Sequence, residues 1–300
     1  MDVCGIRCPP SPEQSSTIMK QTHCEIIEHR EVMSGAMELT ARDPEIAATS
    51  RPGQFVNVLC GPCMDPILRR PFSIYRVDRV RGEFSLLYQL KGRGTVLLAQ
   101  KAVGDVIDIV GPVGHPFEID SSSKVQHFLV GGGCGIVPLL FLADTLNEEA
   151  GGPVEVLIGA QSAGAIMCER EFWDRGMSVE LSTDDGTAGR HGFVTDLLAE
   201  RLANMEPGMK PSIYACGPHQ MLKRIARIAA DHKAPCQVSL EAAMACGFGV
   251  CTGCVVKVKR SECPECGQVY CTECGGGDDW EYKRVCADGP VFYATELVWE

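Results

Sequence analysis

Cys246, Cys251 and Cys254 fall within nine residues and are interleaved with Gly247, Gly249 and Gly253. No regular helix or strand brings three sulfurs at that spacing to one centre, so the backbone must wrap as a tight loop. C-x₄-C-x₂-C followed by a distant fourth cysteine is the ligand run of a plant-type [2Fe–2S] cluster. Glycine suits such a loop because it opens positive φ and lets amide N–H groups turn inward toward an anionic core. Zinc sites usually draw on two-cysteine knuckles with two to four residues between ligands, and it is the x₄ spacing together with the interleaved glycines that favours the iron–sulfur reading over zinc.

The chain has 300 residues, enough for two or three domains, and 45% hydrophobic content fits globular units with real cores. A net charge of -11 opposes binding to nucleic acid or to an anionic membrane surface. The longest apolar stretch, Phe128 to Leu142, is interrupted by Gly131, Gly132, Gly133, Gly135 and Pro138, so no membrane-spanning helix is expected there. The first residues lack a charged region followed by an apolar run, and no secretory signal is expected. The 17 cysteines therefore read as metal ligands and reduced core thiols of a cytoplasmic protein.

Texture changes along the chain divide it. Residues 1–18, with Pro9, Pro10, Pro12 and a Ser-Ser-Thr run, read as a loose tail in which Cys4 and Cys8 have no evident task. Short apolar runs separated by turn residues follow: Cys24–Ile27, Gln54–Cys60, Phe72–Val77, Glu83–Leu90 and Asp105–Val110. That pattern predicts an antiparallel β-barrel. After Ser121-Ser122-Ser123, apolar strands alternate with helical segments, at Val125–Val130, Ile136–Glu149, Val154–Ile158, Ser212–Ala215 and His219–Asp231, which predicts a parallel sheet with crossover helices. From about Gln237 cysteine-rich loops are expected to replace regular periods. The whole is an α+β multidomain chain.

In the α/β part, Phe128-Leu-Val runs into Gly131-Gly132-Gly133-Cys134-Gly135 and a helix carrying Pro138 in its first turn. Backbone N–H groups at such a helix start favour a pyrophosphate. The run is not a Rossmann fingerprint, because Pro138 stands where the last glycine of G-x-G-x-x-G would be. A plain βα turn and a ligand site read equally from these residues alone.

Several segments together resemble the ferredoxin–NADP reductase superfamily, and within it the family of electron-transfer subunits of NAD-dependent dihydroorotate dehydrogenases. The resemblance spans about Cys24 to Trp299. Arg70-Pro71-Phe72-Ser73 is similar to the superfamily's FAD-binding Arg-x-Tyr-Ser. It implies that Arg70 pairs with flavin phosphate, that Phe72 stacks near the ring in place of the family tyrosine, and that Ser73 meets the flavin's reactive edge. Leu87-Tyr88-Gln89 and Gly92-Arg93-Gly94-Thr95 resemble the second flavin segment, with Gly94 and Thr95 at the pyrophosphate. Gly111-Pro-Val-Gly114-His-Pro-Phe117 resembles the turn that closes the barrel. Thr183-Asp184-Asp185-Gly186 with Gly192-Phe-Val-Thr195 looks like the family's nicotinamide-domain loop, and Cys216-Gly217-Pro218 like its turn beside the nicotinamide. Gly159-Ala160-Gln161-Ser162 carries no basic residue for a 2′-phosphate, which favours NAD over NADP. Ser239-Leu-Glu241 and Tyr282-Lys-Arg-Val-Cys286-Ala-Asp-Gly-Pro290 match the iron–sulfur end of the family, and this likeness assigns Cys286 as fourth ligand.

The resemblance implies the following organisation: tail 1–18, FAD-binding β-barrel 19–120, NAD-binding α/β domain 121–236, and [2Fe–2S] domain 237–300. An insert at 261–277 departs from the family. Its Cys263-Pro-Glu-Cys266 and Cys271-Thr-Glu-Cys274 knuckles are compatible with a four-thiolate zinc site or with reduced thiols. Cys60-Gly-Pro-Cys63 is a further C-x₂-C, readable as a redox dithiol or a bystander. The implied activity is passage of electrons from an FMN-containing dihydroorotate dehydrogenase catalytic subunit through the cluster and FAD to NAD⁺, within a heterotetramer serving pyrimidine biosynthesis. The flavin/iron–sulfur subunits of NADH-dependent ferredoxin:NADP oxidoreductase or sulfide dehydrogenase share these motifs. A zinc-binding interaction module without redox chemistry is the reading from another class.

Overall fold

The computed structural model describes residues 19–61, 66–260 and 280–300. The expected tail, Cys4 and Cys8 in it, Cys63, and the knuckles Cys263, Cys266, Cys271 and Cys274 lie outside the described residues.

Six antiparallel strands close a barrel: β1 (Lys20–Met33), β2 (Ala36–Arg42), β3 (Phe55–Leu59), β4 (Arg70–Asp78), β5 (Glu83–Gln89) and β6 (Val106–Val113), in the order β1-β2-β5-β4-β3-β6. Period-two alternation fills its interior with Cys24, Ile26, Leu39, Ala41, Val56, Val58, Ile74, Leu86 and Ile109, all buried. Helix α1 (Pro44–Thr49) starts where Asp43 accepts from the amides of Glu45 and Ile46, each at 3.0 Å, with Pro44 at its first position. A second short helix, α2 (Arg93–Ala99), follows the Gly92 turn.

The α/β unit comprises β7 (Val125–Gly132), α3 (Val137–Glu149), β8 (Val154–Ala160), α4 (Glu169–Trp173), β9 (Ser178–Thr183), β10 (Arg190–His191), α5 (Val194–Ala203), β11 (Lys210–Cys216), α6 (His219–Asp231) and β12 (Cys236–Ser239). After β7 the chain builds outward through β8, β9 and β10, then returns to lay β11 and β12 on the other side of β7. That reversal makes a topological switch point between β7 and β11, where open α/β sheets form a crevice at the carboxyl ends of the strands.

The last region is more regular than its cysteine-rich sequence predicts. It holds an antiparallel hairpin of β13 (Val255–Lys259) and β14 (Trp280–Arg284), and a strand β15 (Val291–Tyr293) that joins the large sheet antiparallel to β12. The boundary expected between 236 and 237 falls inside β12, so this region shares a sheet with the preceding one. Three hydrogen bonds bind the barrel's exit to those strands: Glu118 N to Gln237 Oε1 (2.9 Å), Gln237 Nε2 to Glu118 O (2.7 Å), and Tyr293 Oη to Glu118 Oε2 (2.7 Å).

Barrel and sheet pack through α3 and β4. Phe141 of α3 is buried with the barrel core, and Tyr75 of β4 donates to Glu171 of α4 while accepting from Arg76. Among the described residues no helix is long and apolar enough to cross a membrane.

Candidate functional site

The two barrel segments expected to hold flavin meet. A Cβ at Gly94 would lie 3.1 Å from Arg70 Nε, so the glycine lets the α2 turn settle against the guanidinium. Arg70 Nη1 donates to the carbonyl oxygens of Leu68 (2.8 Å) and Arg69 (3.3 Å), which holds the side chain beside the Gly94 turn. Thr95 is occupied within its own turn: its Oγ1 accepts from the amides of Lys91 and Gly92 and donates to Gly92 O.

Strand alternation sorts the remaining members. Phe72, expected beside a flavin ring, is 8% exposed and packs in the barrel core at 5.2 Å from Tyr88. Tyr88 is also buried. Its hydroxyl pairs with His29 Nε2 (2.8 Å), and His29 Nδ1 meets Lys101 O (2.8 Å), so Nδ1 is the ring donor and Tyr88 donates to Nε2. Leu87 and Gln89 point the other way. Leu87 packs on the core of the α/β unit and Gln89 reaches Met167 Sδ at 3.9 Å. Pro71 and Ser73, half-buried, stand opposite Asn57 and Phe55 of β3.

At the switch point the turns after β7 and β11 interlock. A Cβ at Gly135 would sit 2.3 Å from Cys216 O, one at Gly132 would sit 2.5 Å from Met221 Sδ and 2.9 Å from Pro218 Cδ, and Gly217 adopts φ +155° against the Gly132 backbone. Gly131 would press its own Ile136. Of these glycines, expected to serve a ligand, Gly135 is required first by backbone contact between the two turns, Gly132 by the side chains of Met221 and Pro218 and Gly131 by Ile136 of its own turn, while Gly133, at φ +55°, faces open space. Asp184 is exposed on the loop after β9, its amide bonded to Ala160 O at the end of β8.

Cys216 is 2% exposed, and burial pushes its thiol up to about 12, assisted by the charge of Glu241. The Cys134 thiol is raised by burial, with Lys91 acting against the shift and Glu241 for it. Lys91 of the barrel and Glu241 beyond β12 thus act on the Cys134 thiol with opposite signs. Neither was singled out for this place in the sequence: Lys91 is one of many surface cations there, and Glu241 stands in the Ser239-Leu-Glu241 segment, which the family likeness assigns to the iron–sulfur end.

Cys246, Cys251, Cys254 and Cys286 come together as two pairs, Cys246 with Cys251 and Cys254 with Cys286. Amides point at the sulfurs: Gly249 N lies 3.0 Å from Cys286 Sγ, Cys251 N 3.4 Å from Cys246 Sγ, and Cys286 N 3.4 Å from Cys254 Sγ. Against the effect of burial, the amides of Phe248, Cys251 and Val250 and the Cys251 side chain bring the Cys246 thiol down to about 6. Burial and the neighbouring Cys254 push Cys286 up to about 12. Among the described residues no three His, Cys, Asp or Glu groups are drawn up around a single-ion site. Two cysteine pairs with inward amides fit a two-iron core, which takes two thiolates at each iron. Gly247 and Gly249 adopt φ +76° and +90° in this loop, which a side chain would strain.

Two residues that the sequence did not mark hold the loop. Asn57 of β3 donates to Gly247 O at 2.9 Å, and Arg284 donates to Gly249 O at 2.7 Å. Asn57 interrupts the apolar run 54–60, and a polar residue at that place was the available signal.

The Oxidoreductase NAD-binding domain family matches residues 129–227. The chain is 36% identical over 94% of its length to the whole of the "Dihydroorotate dehydrogenase B (NAD(+)), electron transfer subunit" of a Geobacillus species. It is 38% identical over 86% of its length to 90% of the protein of the same name from Desulforamulus reducens. Among solved structures, that of an NADH-dependent reduced ferredoxin-NADP oxidoreductase, studied for flavin-based electron bifurcation, aligns over 92% of this chain and 90% of that one, with TM-score 0.74 and 29% identity. The ferredoxin reductase of carbazole 1,9a-dioxygenase, at 17% identity and TM-score 0.58 over 72% of this chain and 67% of its own, shares the fold.

Proposed function

This chain belongs to the family of dihydroorotate dehydrogenase B (NAD⁺) electron-transfer subunits, and from that premise we propose that it carries electrons between an FMN-containing catalytic subunit and NAD⁺ by way of a [2Fe–2S] cluster and FAD. The carrying observation is the set of two cysteine pairs with inward amides seated directly on the barrel strand next to Arg70–Ser73. Bound flavin supplies the exchange between a two-electron hydride and single electrons, which nicotinamide and an iron–sulfur centre do not perform on each other.

The residues divide the remaining work. Arg70, held by the carbonyls of Leu68 and Arg69 beside Gly94, supplies a fixed cation for flavin phosphate. The interlocked turns at Gly131–Gly135 and Cys216–Pro218 form the floor on which a nicotinamide ring would lie, at the place where α/β sheets bind dinucleotides. Cys216 is a neutral thiol there, so it can shape the floor and donate weakly without placing a negative charge beside the ring. The carbonyl and amide groups of the cluster loop are fixed by Asn57 and Arg284. Substrate oxidation belongs to the partner subunit in this reading, and the likeness to the ferredoxin-NADP oxidoreductase names the competing choice of partner.

An absorption spectrum of the anaerobically purified chain tests the conduit: flavin bands over a broad iron–sulfur background, bleached together by NADH, are expected. A folded, colourless preparation with stoichiometric zinc would favour the non-redox module. Co-purification with an FMN subunit that oxidises dihydroorotate distinguishes the two redox partners.

A further inference from the structure

Strand β3 faces two ways. Val56 and Val58 are buried in the barrel interior, whereas Phe55 packs on the other side within a cluster that includes Cys254, Val285 and Cys286. Asn57 also belongs to that outer face. It is 1% exposed, and its Nδ2 donates to Gly247 O at 2.9 Å. Contact there is so close that a Cβ at Gly247 would lie 2.4 Å from Asn57 Nδ2. The strand itself is held from below by Arg69, whose Nη1 meets the carbonyl oxygens of Asn57 (3.5 Å) and Asp108 (3.0 Å) and whose Nη2 meets Asp108 Oδ2 (2.8 Å).

On the opposite edge of β3, Phe55 pairs with Ser73 and Asn57 with Pro71. Neighbouring strands lie about 4.8 Å apart. The residues that seat the cysteine loop are therefore one strand away from those that the family likeness places at the flavin.

We infer that Asn57 is a positioning residue that fixes the cysteine loop against the flavin strand and so sets the electronic coupling between the two redox sites. The inference rests on the reading of Cys246, Cys251, Cys254 and Cys286 as [2Fe–2S] ligands and of Arg70–Ser73 as the flavin strand. Arg284 holds Gly249 from within the loop's own domain, but Asn57 bonds it across the domain boundary. A buried amide whose donor meets a buried carbonyl gives one geometry, and removing the donor leaves that carbonyl unpaired and the loop free to lift.

The test uses the full chain with its cofactors and the variants Asn57→Asp, which replaces the donor by an oxygen of the same shape, and Asn57→Ala. Flavin and iron contents are measured first. Anaerobic stopped-flow mixing with NADH then separates flavin bleaching from cluster reduction, and EPR records the reduced cluster. Flavin bleaching within about twofold of the parent, with cluster reduction slowed by about tenfold or more and altered g-values, is the expected result. Cluster reduction at the parental rate with both cofactors in place overturns the role. If Asn57→Asp loses iron, amide hydrogen exchange decides: faster exchange confined to 247–250 supports the role, and exchange unchanged there overturns it. A parent chain lacking flavin or iron absorption removes the functional reading and the inference with it, which is distinguishable from a failure of Asn57 alone.

Discussion

Arg284 Nη1 lies 2.7 Å from the carbonyl oxygen of Gly249, the residue whose own amide points at Cys286 Sγ from 3.0 Å. The guanidinium is oriented by Asp288, which accepts from Nε at 2.8 Å and Nη2 at 2.9 Å, and this pairing holds the Asp288 carboxyl below its usual range. A side chain gripped on two edges thus holds the carbonyl of the residue whose amide is aimed at the Cys286 sulfur. Arg284→Ala is expected to lower the iron-to-FAD ratio of the purified chain by about half or more, with Arg284→Lys intermediate because the fork is lost. Iron analysis beside flavin absorbance checks it; an unchanged ratio would remove Arg284 from the support of the loop.

Arg70 and Gly94 make a parallel case at the proposed flavin site. Loss of charge-assisted hydrogen bonds of about 1.5–3 kcal/mol corresponds to roughly ten- to hundredfold weaker FAD binding in Arg70→Ala. Gly94→Val forces the guanidinium from its place, since even a Cβ would stand 3.1 Å from Nε, and should weaken FAD in the same direction. Fluorescence titration of the apo chain with FAD measures both. Equal affinity in all three proteins would mean that flavin binds without Arg70.

Much of this architecture was legible in the sequence, and the exceptions have physical causes. The five apolar runs of the barrel became β1, β3, β4, β5 and β6, and His219–Asp231 became α6 without change. Strand β2 escaped notice because Glu38 lies on it: that side chain is buried, paired with Arg30 and Arg76, so a charge stands where the pattern wants an apolar residue. Strands β12 and β15 were hidden by their shortness and by pairing that spans more than fifty residues, which no local period reports. The glycine run was readable as a turn after a strand. That Gly132 and Gly135 are demanded by the Cys216-Gly217-Pro218 turn and the helix after it is a long-range fact, available once β11 lies beside β7. Asn57 and Arg284 went unassigned for the same reason, since each acts on a backbone carbonyl far away in the chain.

Gly135 tests how far that interlock governs nicotinamide access. A methyl group at this position would meet Cys216 O at 2.3 Å and Gly217 N at 2.5 Å, both backbone atoms without freedom to rotate away. Gly135→Ala should destabilise the chain by about 1–3 kcal/mol through overpacking and slow flavin reduction by NADH, while FAD content stays near parental. Thermal melts and an anaerobic NADH titration measure the two effects. Parental reduction by NADH would show that the two turns tolerate separation.

His127 gives the chain a pH dependence of known sign. It is fully buried on β7, stacked 5.9 Å from Tyr214, with neither ring nitrogen hydrogen-bonded, and burial lowers its pKa from the usual 6.5 despite the opposing charge of Asp120. The folded chain therefore binds this proton more weakly than the unfolded chain does. Stability contributed by the neutral ring is fully present above 6.5 and is lost as pH falls below it toward the depressed folded value, at a slope of up to about 1.4 kcal/mol per pH unit. His127→Phe removes the titration and two unpaired polar atoms while keeping a ring against Tyr214, so it should match or exceed the parent in stability above pH 7. Between pH 6.5 and 5.5 the parent is expected to lose more stability than the variant in urea unfolding, by up to about 1 kcal/mol. Parallel pH profiles for the two proteins would mean that His127 is hydrated and carries its proton in the folded state.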